Sequence, residues 1–195
     1  MLTISLRINW MELLRLRWSR KEVNVTMGWY ENLKTEDKNI IRMYTTARQF
    51  RNAILPTEYL LFSPGKTRNR TIPYVVNRSF SCELYLKTVL CIQGAPHKKM
   101  HSIIDLLEAT TLKENFTTYV LEGVAKTGKQ YSKEQLDQDL RSISDVFVNV
   151  RYVYEHDFLH VAVGCLEILN DYLDDYCRKS ILEKYGVDMN EHQMI

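Results

Sequence analysis

The segment from Pro73 to Gln93 constrains this chain most: twenty-one residues of helix-forming and apolar character, closed by Gly94-Ala95-Pro96. Val76, Phe80 and Leu84, with Lys87 or Thr88, make one stripe at helical spacing. Cys82, Tyr85, Leu86, Val89 and Leu90 widen that stripe until the helix is apolar on most sides. A helix of that kind is stable only when other helices cover it, so it is expected at the centre of the fold. Glycine and proline after Gln93 stop it cleanly.

The flanking segments read the same way. Ile40, Ile41, Tyr44, Ala47, Phe50 and Ile54 recur at helical spacing between Thr35 and Leu55. Thr35 is a good cap, Glu36 and Asp37 suit the first turn, and Pro56 ends the helix. Residues 56–71, with Pro64-Gly65 and the basic Lys66, Arg68 and Arg70, read as an exposed loop. Short helices are expected over about His101 to Thr110 and around Phe116 to Leu121. Ser132 and Gln135 form a capping box opening a helix that runs to about His156. The last long helix is expected from Phe158 to Lys184, with Val161, Cys165, Ile168, Leu169, Tyr172, Leu173 and Tyr176 inward and Gly186 as its stop. Strand signals are nearly absent, and seven glycines and four prolines in 195 residues are too few for a many-turned β fold. The expectation is an all-α bundle of about four principal helices with short extras.

Bulk composition narrows the class further. The length suits one domain with a full core. Cys82, Cys91, Cys165 and Cys177 show no C-x-x-C pairing and read as reduced thiols within apolar patterns, which fits a cytoplasmic protein. No apolar run approaches the ~20 residues of a membrane span, so no membrane partner is expected. The net charge of +2 is unevenly spread. Residues 1–26 hold five basic residues (Arg7, Arg15, Arg17, Arg20, Lys21) against Glu12 and Glu22; the remainder has 21 basic and 22 acidic residues. The body is therefore not a basic nucleic-acid-binding domain of the usual kind, and any RNA contact must rest on a local patch.

Residues 1–26 have three readings. Leu2, Leu6, Leu13, Leu14 and Leu16 with interspersed Arg can make a short amphipathic helix for a membrane surface or a groove. The segment is a poor secretory signal, because charges interrupt its apolar stretch. Alternatively, Lys21-Glu22-Val23 is encodable as a bacterial ribosome-binding site followed at a suitable distance by Met27. On that expectation the protein starts at Met27, a helical domain spans 27–185, and 186–195 form a tail.

Three constellations bear chemistry-capable residues. Glu83 and Lys87 are four apart in the favourable order, the spacing of a helix-surface ion pair, yet they sit in the most apolar helix. A carboxylate there needs a partner, and is either a packing device or part of a site. His97 and His101 are also four apart, but the lysines Lys98 and Lys99 between them oppose a metal. Arg151 and His156 combine a permanent phosphate clamp with a group that passes protons near neutral pH. Five helical steps set them roughly 140° apart, so they converge only if the helix ends or bends near Glu155, or a second chain supplies the other half. On spacing alone, Arg151 pairs with Glu155 and His156 caps the helix.

Taken together, Ser79-Phe-Ser-Cys-Glu-Leu-Tyr-Leu-Lys87, Gly94, the segment ending Ile104-Asp-Leu-Leu107, and Phe147-x-x-x-Arg151-Tyr152-x-Tyr154-Glu155 resemble the HEPN family over about residues 35–180. The resemblance implies a four-helix up-down core that forms a homodimer. In catalytic members an R-x4–6-H motif from each subunit meets at the dimer cleft and cuts RNA without a metal or other cofactor. Arg151 and His156 match that motif, and Glu83 matches a supporting polar residue of the core, with Lys87, Tyr152 and Glu155 beside them. Active members usually carry Asn, Asp or His where this chain has Tyr152. Two readings therefore stand: a metal-independent endoribonuclease of phage defence (abortive infection) or of a toxin–antitoxin pair, with an antitoxin or nucleotidyltransferase partner, and a non-catalytic dimeric module that binds nucleotide, RNA or a partner protein.

Overall fold

The computed structural model describes residues 28–53, 71–97, 99–144, 146 and 161–189. It divides into two units, residues 1–38 and 39–195. In the first, the short helix α1 (Gly28–Glu31) precedes the start of α2 (Thr35–Asn52). There Lys38 donates to the Glu31 carbonyl at 2.9 Å and its ammonium lies 5.7 Å from the Tyr30 ring centre.

The second unit is entirely helical among the described residues: the rest of α2, then α3 (Thr71–Ile92), α4 (Ile103–Ala109), α5 (Lys113–Ala125), α6 (Lys133–Ser144) and α7 (Val163–Tyr185). The all-α expectation is therefore met. Helix α3 is central, packing against α7 along most of its length and against α4; α6 contacts α4, α5 and α7. Its deepest residues are the widening set, Cys82, Tyr85, Leu86, Val89 and Leu90, together with Tyr74 and Val75. The stripe Val76, Phe80 and Leu84 is only half-buried. Phe80 spends its exposed flank on Phe50 of α2, edge to face at 4.6 Å between ring centres. Pro73 is tolerated because it falls in the first turn of α3, where no amide partner is required.

Local signals account for the ends of the helices. Ser132 and Gln135 exchange bonds as a capping box: Ser132 N–H donates to Gln135 Oε1 at 2.8 Å and Gln135 N–H to Ser132 Oγ at 3.2 Å. Gly186 closes α7 at φ 69°, a left-handed conformation that a residue with a Cβ adopts at a cost. Beyond it Val187 and Met189 turn back into the core, and Arg48 of α2 donates to the Met189 carbonyl at 2.7 Å. Two helices differ from their expected spans. Helix α5 is thirteen residues rather than a short turn, and Val161 and Ala162 lie ahead of α7 rather than within it. Ile168, expected inward, is 38% exposed, because the buried face of α7 follows Cys165, Leu166, Leu169, Asn170, Leu173, Cys177 and Ile181.

Polar groups pin α7 in register. Tyr74 donates its hydroxyl to Glu167, Arg78 donates to Asn170 Oδ1 at 3.2 Å, and Asn170 Nδ2 returns a bond to the Arg78 carbonyl at 3.2 Å. Further along, Tyr85 donates to Asp174 Oδ1 at 2.8 Å. On α2, Arg51 grips the same Asp174 at 2.8 Å and Asp171 at 2.8 Å. Burial and the nearby Asp174 carboxylate both push the Tyr44 and Tyr85 hydroxyls well above the usual phenol range.

The four cysteines are free thiols. Burial pushes Cys82 and Cys165 up to about 12 and Cys177 well above its ordinary value, so none of the three is a thiolate near neutrality. Cys91 is half-buried and is raised for the same reason, with Lys184 opposing. Iodoacetamide at pH 8 is expected to label Cys91 first on the native protein and the other three only in denaturant. Rapid native labelling of Cys82 or Cys177, followed by mass spectrometry, would contradict this packing.

Candidate functional site: a buried carboxylate with a histidine at its mouth

Glu83 lies on α3 with its side chain 6% exposed. A carboxylate at that depth needs compensation, since desolvation costs several kcal/mol per uncompensated ion. Lys87, one turn further on, supplies a charge: its Nζ donates to Glu83 Oε1 at 2.7 Å, and its own side chain is 12% exposed. This is the ion pair that the spacing predicts.

The second partner comes from outside the helix. Gly94, at φ 71°, turns the chain after α3, and His97 and residues 99–102 are not helical. His97 and His101 therefore do not share a helix face. His97 sets both ring nitrogens 3.7 Å from Cys91 Sγ. His101 instead brings Nδ1 to 3.0 Å from Glu83 Oε1. The ring itself is 66% exposed while its partner is 6% exposed. A buried carboxylate thus touches solvent through one imidazole. The sequence reading weighed His101 only as a metal ligand and missed this pairing. The available signal was an unneutralised need for partners at Glu83 and a nearby His-bearing turn. Among the described residues, no group of three His, Cys, Asp or Glu side chains comes together as a metal site.

His101 is held from the other side as well. The next residue, Ser102, caps α4 by accepting from Asp105 N–H at 3.3 Å. Its hydroxyl is 2.7 Å from that of Ser144, at the C-terminal end of α6, and Ser144 also accepts from Ile104 N–H at 3.4 Å. Two residues before it, Ser142 accepts from Ala162 N–H at 3.0 Å. Ala162, the residue before α7, is thereby tied to α6 within one turn of Ser144. A shallow cleft of about 320 Å³ is floored by Ile104, Leu107 and Leu140 and edged by two acids and two bases, Glu108, Asp137, Lys113 and Arg141, with Lys113 paired to Glu108 at 2.6 Å.

Of the residues predicted from sequence, Glu83 and Lys87 come together here. Arg151, Tyr152, Glu155 and His156 lie outside the described residues, within the stretch that Ser144 and Ala162 bracket. No helix among the described residues is long and apolar enough to cross a membrane. No family model matches the chain, and comparison with curated proteins and with solved structures gives no match.

Proposed function

We propose that the chain is an HEPN-like, metal-independent endoribonuclease, with an up-down helical core that dimerises and places Arg151 and His156 at the cleft. The observation that carries this reading is Glu83, a carboxylate buried in the central helix and answered by Lys87 and His101, at the position where the family resemblance expects a supporting polar residue of the core. In this reading Arg151 from each subunit clamps the RNA phosphate and stabilises the charge of the pentavalent intermediate. His156 moves a proton to or from the reacting oxygens. The protein acts in the cytoplasm, in phage defence or as a toxin held by an antitoxin or nucleotidyltransferase partner.

A non-catalytic module that binds nucleotide, RNA or a partner protein is the second reading. Tyr152 in the motif favours it. Expression in bacteria separates the two. Growth arrest by the wild-type chain, relieved by Arg151→Ala or His156→Ala at equal protein level, is expected of the nuclease. Equal growth of all three strains favours the module.

A further inference from the structure

We propose that the cleft between α4 and α6 binds a free apolar α-amino acid, with its carboxylate held by Arg141 and its ammonium by Asp137. The proposal goes beyond the endoribonuclease reading and uses none of its residues.

The charges at the rim select the ligand. Glu108 of α4 and Lys113 of α5 bond each other at 2.6 Å, so between them they offer a ligand no net charge. That bond holds the Lys113 ammonium above its usual range, and the Asp137 carboxylate adds to the effect. One acid and one base remain, both on α6. Asp137 and Arg141 line the cleft four residues apart, which places them on one helix face with Cβ atoms roughly 5–6 Å apart. Among the described residues neither belongs to an ion pair. A lone anion drawn to Arg141 would also meet Glu108 and Asp137. A lone cation drawn to Asp137 would meet Lys113 and Arg141. A zwitterion meets an opposite charge at each end, and its carboxylate matches the fork of donors that a guanidinium presents.

The floor and the size of the cleft narrow the class further. Leu107 and Leu140 are buried and Ile104 is half-buried, so the surface beneath the rim is apolar. An aliphatic or aromatic side chain laid on it removes apolar surface from water on both partners. The volume of about 320 Å³ falls at the small end of the range of about 300–1,000 Å³ for ligand sites. That suits a single amino acid better than a nucleotide or a polymer.

The test is a ligand-detected NMR titration of the full-length protein with L-phenylalanine and L-leucine. Binding is expected with a Kd of about 0.1–1 mM, weak because few atoms are engaged. Arg141→Gln and Asp137→Asn are each expected to weaken it at least about 10-fold, through the loss of one charge-assisted bond. N-acetyl-L-phenylalanine lacks the ammonium and L-phenylalanine amide lacks the carboxylate; each is expected to bind the wild-type protein at least about 10-fold less tightly. Arg141 is exposed and Asp137 half-buried, and unchanged helical circular dichroism confirms that both variants fold. No binding of either amino acid at about 10 mM, or binding that both variants retain in full, overturns the assignment. Equally tight binding of the acetylated form or the amide would show that the cleft takes a chain terminus, and overturns it as well.

Discussion

Asp174→Ala is expected to destabilise the protein by about 3 kcal/mol, because it strips a nearly buried charge network of its centre. The Asp174 side chain is 14% exposed and binds Arg51 of α2 at 2.8 Å and Tyr85 of α3 at 2.8 Å. Arg48 Nε stands 3.9 Å from the same carboxylate. Removing it leaves the Tyr85 hydroxyl without its acceptor and Arg51 with only Asp171, at the junction of three helices. For a chain of this length the loss corresponds to a melting temperature lower by roughly 6–12 °C. Asp171 binds the same Arg51 at 2.8 Å but is 60% exposed, so solvent screens it, and Asp171→Ala is expected to cost less than about 1 kcal/mol. Thermal unfolding followed by circular dichroism checks both. Equal losses for the two variants would show that Asp174 does not organise the α2–α3–α7 junction.

On the proposed endoribonuclease reading, Arg151→Ala and His156→Ala are each expected to lower RNA cleavage by about 10²- to 10⁴-fold while leaving melting temperature and oligomeric state unchanged. Arginine offers a fixed fork of donors to the phosphate, and Lys in its place supplies charge without that geometry. Arg151→Lys is therefore expected to recover only a small part of the rate. Retained cleavage in either alanine variant, measured on the same RNA in EDTA, would move the chemistry away from this motif. A fall in stability that tracks the fall in rate would instead assign the two residues to packing.

The sequence spoke clearly where the determinants are local. The Ser132–Gln135 box, the glycine stop at Gly186 and the Glu83–Lys87 pair all lie within four residues along the chain, and each is found where its spacing places it. Helix α3 was legible as the central one, since only a covered helix tolerates apolar residues on so many sides. Contacts that join distant segments were not legible. The His101–Glu83 bond spans eighteen residues and depends on the chain doubling back after Gly94, which periodicity does not encode. The Arg51–Asp174 and Arg78–Asn170 bonds span more than ninety residues, and each side chain alone reads as an ordinary surface position. Ile168 misled for a related reason: apolar identity at the right period does not say how wide the covered face of α7 is.

Cleavage of single-stranded RNA by the purified full-length chain in excess EDTA, with the ends of the products read by mass spectrometry, decides whether the protein is a metal-independent nuclease. Such a nuclease cleaves at full rate in chelator, leaving a 2′,3′-cyclic phosphate on one fragment and a 5′-hydroxyl on the other. RNA that stays intact at every protein concentration, or cleavage that stops on chelation and returns with a divalent cation, would contradict the endoribonuclease reading.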